Sequence, residues 1–221
     1  MSANQTVAEK IVQVSEVAAS RLPADVLAVF HAEQARFDAE GVPEGVLRPG
    51  EQMPDGKLLD VHGEPTSLGQ VRNGRPAVVV FYRGDWCPYC NVTLHTYQEQ
   101  VVAPLAERGV ALVAVSPQKP DGSLTIKQKH ELTFDVVSDP GNQLATALGI
   151  LTKQGGTVRE AQGKLGLDVA ATNGDGTDFL PMPTVVVVDA AGAIRWVDVH
   201  PNFTTRTEPQ QIFDAVAALG L

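Results

Sequence analysis

The chain has 221 residues, 43% of them hydrophobic, enough for one globular domain with a sizeable core and an appendage, and too apolar for a disordered chain. Its formal net charge is −9 and it contains no run of Lys or Arg, which argues against nucleic acid or an anionic membrane surface as partner. Small molecules or other proteins remain.

The opening stretch, residues 1–20, carries acidic residues and lacks the uninterrupted apolar core of a secretory signal, and no later run has the length of a membrane span. The chain is therefore expected to be cytoplasmic. In that compartment thiols stay reduced, so its two cysteines, Cys87 and Cys90, are expected to be catalytic or metal-ligating, not a structural staple.

Residues 1–45 read as a helical arm in two pieces. Val7, Ile11, Val14 and Ala18 recur at helical spacing, and after Pro23 the set Val26, Leu27, Phe30, Gln34 and Phe37 continues to Gly41. The apolar stripe is expected to pack on its own domain, although a homodimer contact would use the same pattern. From residue 46 onward the domain proper is expected. Arg48-Pro49-Gly50, Pro54-Asp55-Gly56 and His62-Gly63-Glu64-Pro65 punctuate short apolar runs, as a hairpin does.

Ala77–Tyr82 is a continuous apolar run, the mark of a strand buried on both faces. After Arg83-Gly84-Asp85-Trp86 a helix is predicted from Cys87 to Ala106, kinked at Pro104, then a strand over Val110–Val115, which completes a parallel crossover. A short helix over Thr125–His130, a strand over Thr133–Val137 and a helix over Asn142–Leu148 follow. Residues 150–180 read as an insertion with one short helix around Thr157–Lys164. The chain closes with strands Val185–Asp189 and Ile194–Val199, a hairpin, and a helix over Pro209–Leu219. This α/β order, ending in a β-hairpin and a helix, predicts a thioredoxin-like fold with an N-terminal helical extension.

Trp86-Cys87-Pro88-Tyr89-Cys90 sits at the predicted helix start, where unpaired backbone N–H groups and the positive end of the macrodipole favour a thiolate. Pro88 suits the first turn, Trp86 supplies an apolar shelf, and Arg83 adds a nearby cation that Asp85 partly offsets. No metal is expected: zinc needs four ligands, and none of the five histidines stands in ligand spacing with another. His95 and His200 are not expected to be catalytic. A [2Fe–2S] cluster shared between two copies is the alternative from a different class; otherwise no cofactor is implied.

These residues resemble the thioredoxin superfamily, and specifically its peroxiredoxin-like branch, the alkyl hydroperoxide reductase/thiol-specific antioxidant group. The resemblance spans about residues 47–219: Gly50–Leu68 resembles the opening hairpin, Val78–Cys90 the active-site strand and loop, Ser138-Asp139-Pro140 the loop before the next helix, and Val185–Asp189 the strand opposite. It implies an antioxidant oxidoreductase that reduces a small peroxide or disulfide and is itself reduced by a thioredoxin-like protein or a low-molecular-weight thiol.

The loop aligns in two ways. Thioredoxins and glutaredoxins carry Trp/Tyr-Cys-x-x-Cys, here Trp86, Cys87 and Cys90 with the glutaredoxin-like middle pair Pro88-Tyr89, which makes Cys87 the nucleophile and Cys90 the resolving thiol. Peroxiredoxins carry Pro-x-x-x-Thr/Ser-x-x-Cys, which makes Cys90 the peroxidatic thiol, with Arg83 in the proline position and Cys87 in the threonine position. The peroxiredoxin arginine of the facing strand aligns with Pro183, and Met182-Pro183-Thr184 instead resembles the thioredoxin cis-proline element. The leading expectation is accordingly a thiol-disulfide oxidoreductase in which Cys87 attacks a disulfide or a small peroxide and Cys90 resolves, with Pro183 and Thr184 orienting the substrate, Trp86 and Tyr89 walling the site and Arg83 favouring the thiolate. A thiol peroxidase with Cys90 attacking is the runner-up.

Overall fold

A computed structural model describes residues 5–220. Two helices, α1 (Val7–Arg21) and α2 (Ala24–Glu40), form the arm. Thr6 and Glu9 close a capping box at the start of α1, Pro23 separates the two, and Gly41, at a positive φ of 68°, ends α2. The hairpin strands are β1 (Leu58–Leu59) and β2 (Pro65–Thr66), followed by the short helix α3 (Leu68–Arg72) and the central strand β3 (Ala77–Phe81).

The long helix expected after the dithiol is two helices, α4 (Pro88–Gln100) and α5 (Val102–Glu107). Pro104 has no N–H to offer the Gln100 carbonyl and its ring crowds that oxygen, so the break falls at Val101, one turn before the proline. Next come β4 (Ala111–Ser116), α6 (Pro120–Lys129), β5 (Asp135–Ser138) and α7 (Gln143–Leu148). Residues 150–180 are more ordered than their composition suggests. Strands β6 (Leu151–Lys153) and β7 (Phe179–Pro181) pair antiparallel and frame α8 (Gly156–Lys164) and α9 (Val169–Thr172). The chain ends with β8 (Thr184–Val188), β9 (Ile194–Val199) and α10 (Pro209–Ala217).

Among the described residues the main sheet has the order β2-β1-β5-β4-β3-β8-β9, with β3, β4 and β5 parallel and β8 antiparallel to β3. Alternate residues of β3 enter two cores. Val78 and Val80 pack with Leu94, Tyr97, Ile212 and the arm residues Val7 and Ile11, whereas Val79 and Phe81 pack with Phe37, Leu144 and Leu148. Both faces of the sheet are thus covered, which explains why β3 reads as an unbroken apolar run; each fully buried Val contributes about 1.5–3 kcal/mol. The fold is the thioredoxin-like one expected from the sequence, with helices at its N-terminus.

Lys10 of α1 is buried and reaches Thr96 Oγ1 at 3.0 Å and Glu99 at 2.9 Å on α4, tying the arm to the helix that carries the dithiol. Among the described residues no helix is long and apolar enough to cross a membrane.

Candidate active site

Cys87 is the N-cap of α4 and Cys90 lies in its first turn; both are free thiols and both are buried. The strand register brings the rest of the site to them. Phe81 pairs with Thr184, so Tyr82 and the loop after it lie beside Pro183, and Thr184 pairs with Val199, so the segment after β9 emerges at the same edge.

That segment supplies the residue that sequence reasoning missed. Arg206 Nη2 donates to Cys90 Sγ at 3.3 Å, while its Nη1 is fixed by the carbonyls of Phe203 and Thr205, each at 2.6 Å. The Tyr97 hydroxyl anchors the segment by donating to the Thr207 carbonyl at 2.7 Å, and His200 bonds Asp198 at 3.0 Å and Thr205 at 2.8 Å. The position that aligns with the peroxiredoxin arginine holds Pro183, and the arginine facing Cys90 comes instead from the loop after β9. The signal was present in the hairpin, because antiparallel pairing returns the chain after Val199 to the start of β8.

Arg83 is where the sequence put it, buried at 7% exposure beside both cysteines. Its guanidinium lies 4.3 Å from the Phe203 ring centroid and 5.1 Å from that of Trp86. Asp85 is held by Gln118, which takes the Asp85 N–H at 2.6 Å and donates to its carboxylate. Trp86 packs so closely over Gly84 that a Cβ there would collide with the indole. Tyr89 lies at the start of α4, tilted against Phe203 with centroids 6.4 Å apart. Asn91 also escaped the sequence reading. Its Nδ2 donates to the carbonyls of Asp85 at 2.6 Å and Cys87 at 2.8 Å, and its Oδ1 meets Lys129 and His130.

The two thiols differ electrostatically. Burial alone would push Cys90 up, but the hydrogen bond from Cys87, the Arg206 guanidinium, the Arg83 backbone N–H and the Arg83 charge hold it well below the usual thiol value. Cys87 moves the other way: burial, the hydrogen bond it gives to Cys90 and the Cys90 charge push it well above. Helix-start placement alone would have favoured Cys87; the side chains around the pair reverse the order.

Pro183 and Thr184 wall a small pocket with Cys90, Arg206 and His200. The expectation of a cis-proline there fails, since no cis peptide bond occurs among the described residues. The backbone before Pro183 is also consumed internally: Met182 N–H donates to Ile150 O at 2.8 Å, and Met182 O accepts from Thr184 Oγ1 at 2.9 Å. The Met182 N–H is therefore not free to pair with a substrate peptide. Among the described residues no group of three or more His, Cys, Asp or Glu side chains could hold a metal ion.

The sequence profile of the AhpC/TSA family matches residues 49–197. A putative peroxiredoxin of Mycobacterium tuberculosis is 32% identical over 103 residues, 47% of this chain and 64% of the relative. Peroxiredoxin Bcp of Bacillus subtilis is 29% identical over 101 residues, 46% of this chain and 63% of the relative. These matches thus span less than two thirds of each relative's length. Among solved structures, the peroxidoxin BcpB of M. tuberculosis superposes with a TM-score of 0.60 at 16% identity, covering 78% of this chain and 98% of that one. A peroxiredoxin-like protein of Aquifex aeolicus gives 0.61 at 16% identity, covering 79% and 88%. With its profile matched from the turn after the arm to the last strand, the chain belongs to the AhpC/TSA family, the peroxiredoxin-like branch of the thioredoxin superfamily.

Proposed function

We propose that the protein is a thiol-dependent peroxidase in which Cys90 attacks and Cys87 resolves. The observation that carries this reading is the setting of the Cys90 sulfur, with Arg206 Nη2 at 3.3 Å and the Cys87 thiol as hydrogen-bond donor. The thiolate, not the thiol, is the nucleophile, and Cys90 is the sulfur held as thiolate. Relatives named peroxiredoxins support the same class of chemistry.

In the first step the Cys90 thiolate attacks the distal oxygen of a small peroxide. An S–O bond forms, the O–O bond breaks, Cys90 becomes a sulfenic acid, and the departing oxygen takes a proton from water. Arg206 stabilises the thiolate beforehand and the charge on the leaving oxygen afterwards. Cys87 then attacks the Cys90 sulfur, forming the disulfide and expelling water, which carries away the Cys87 proton. Two thiols from a reductant, either a thioredoxin-like protein or a low-molecular-weight thiol, restore the dithiol. A reducing compartment such as the cytoplasm supplies them. The cycle uses no cofactor. A [2Fe–2S] cluster shared between copies would need both sulfurs turned outward, and their burial against each other counts against it.

A second reading, in which Cys87 attacks a disulfide first, has one observation in its favour: Cys87, not Cys90, borders the larger cavity of the molecule. The raised Cys87 thiol and the occupied Met182 backbone weigh against it. Stopped-flow oxidation of the reduced protein by hydrogen peroxide, set beside turnover of a protein disulfide, separates the readings. Fast peroxide oxidation with slow disulfide turnover is expected; the reverse would sink the peroxidase assignment.

A further inference from the structure

The two sulfurs face different spaces. Cys90 borders the small pocket with Arg206, Pro183 and His200, about 10 Å³ in volume, the room of a single water-sized molecule. Cys87 borders a chamber of about 620 Å³ whose walls are mostly apolar, including Val14 of α1, Leu27 and Phe30 of α2, Trp86 and Phe203. Four of its elements, α1, α2, α8 and the Phe203 segment, lie outside the matched family segment or in the 150–180 region. Arg83 also lines it, nine-tenths buried, with no ion pair and no side-chain hydrogen bond among the described residues. A large apolar space that ends at one sulfur and a buried guanidinium, held against the Phe203 and Trp86 rings without a salt bridge, is a site for a molecule with a hydrocarbon body and an anionic reacting end.

We propose that this chamber is the port for the reductant: a low-molecular-weight thiol with an apolar body enters between α1 and α2 and attacks the Cys87 sulfur of the oxidised protein. The proposal rests on the Cys87–Cys90 disulfide described above, not on the identity of the oxidant. Chemistry and geometry select the same sulfur. Attack on Cys87 forms the R–S–S–Cys87 bond, breaks Cys87–Cys90 and releases Cys90 as a thiolate to its place against Arg206; the proton of the incoming thiol goes to solvent. Attack on Cys90 would instead expel Cys87, which has no such partner, and would have to pass the small pocket. A second thiol displaces Cys87, leaving R–S–S–R and leaving its proton on the Cys87 thiol. Arg83 at the chamber floor favours the thiolate of the incoming molecule. Small peroxides and apolar thiols thus reach the pair through different spaces.

The test starts from protein oxidised to the intramolecular disulfide with diamide, so that peroxide plays no part. Reduction rates are measured with ethane-, butane- and hexanethiol and 2-mercaptoethanol, each normalised to its rate with a small disulfide in solution. The expected result is a rise of about two- to fourfold for each added methylene, the latter being the limit for complete burial. The slope should flatten in Leu27→Asn and in Val17→Arg; Val17 lines the chamber but is 49% exposed, so that substitution leaves the core intact. A flat series, or a mixed disulfide mapped to Cys90, overturns the proposal. So does a result in which Val17→Arg slows oxidation by cumene hydroperoxide and not reduction, since the chamber would then serve the oxidant. If the series is flat and Val17→Arg splits a dimer, the chamber is a subunit contact instead. A protein inert to peroxide but with a steep thiol series would refute the peroxidase reading and leave the port standing.

Discussion

Replacing Arg206 with Met removes the one side-chain cation among the described residues within hydrogen-bond distance of the Cys90 sulfur while keeping an unbranched side chain in the loop. At 3.3 Å and an effective dielectric constant of about 20 the bare Coulomb attraction would be about 5 kcal/mol, a ceiling because Arg206 is half-exposed and screened. A hydrogen bond to a charged partner is worth about 1.5–3 kcal/mol, and its loss should raise Cys90. The Cys87 hydrogen bond, the Arg83 N–H and the Arg83 charge remain, so Cys90 should stop short of an ordinary buried thiol. The assay is thiolate ultraviolet absorbance against pH, together with the rate of oxidation by hydrogen peroxide. At a pH below the midpoint, a loss of about 1.5–3 kcal/mol lowers the thiolate fraction and the rate on the order of 10–100-fold, with Arg206→Lys in between. An unchanged titration midpoint in Arg206→Met would refute the assignment of Arg206 as the group that holds the thiolate.

The Tyr97 hydroxyl is fully buried and donates to the Thr207 carbonyl, so Tyr97→Phe should cost about 1–2 kcal/mol in urea denaturation and loosen the loop that carries Arg206, slowing peroxide oxidation several-fold. Burial, with Lys129 and His95 nearby, lowers His130 to about 4 from 6.5. The folded state then binds fewer protons than the unfolded one between those values, so its stability contribution is present above about pH 6.5 and lost as pH falls toward 4; His130→Gln should flatten this slope. For Cys90, depressed in the folded state, the contribution is full above the unfolded value of about 8.5 and lost as pH falls through the folded value. The stability difference between reduced wild type and Cys90→Ser should therefore grow with rising pH up to about 8.5, and a difference independent of pH would contradict it.

The architecture was legible where burial is two-sided or periodic. The run Ala77–Tyr82 announced β3, and the spacing of Val7, Ile11, Val26, Phe30 and Phe37 announced two helices parted near Pro23 and ended at Gly41. The pairing of β6 with β7 was not legible, because three-residue strands held by tertiary contacts carry no period of their own. The site was half legible. Cys87, Cys90, Arg83 and Trp86 are contiguous, and Pro183 follows from register, but Arg206 lies 116 residues from Cys90 and is brought near only by the closing hairpin. The thiol order proposed above departs from the one expected from the sequence for the same reason. From sequence, the helix start favours the first cysteine; in the folded chain, the charges that decide the matter sit around the second.

The central claim, that Cys90 attacks first, is tested most directly by reacting the single variants Cys87→Ser and Cys90→Ser with hydrogen peroxide in a rapid mixer and trapping sulfenic acid with dimedone for peptide mapping. The account predicts that Cys87→Ser oxidises rapidly with the adduct on Cys90, while Cys90→Ser reacts no faster than a thiol free in solution. Rapid oxidation of Cys90→Ser with the adduct on Cys87, and an inert Cys87→Ser, would contradict it.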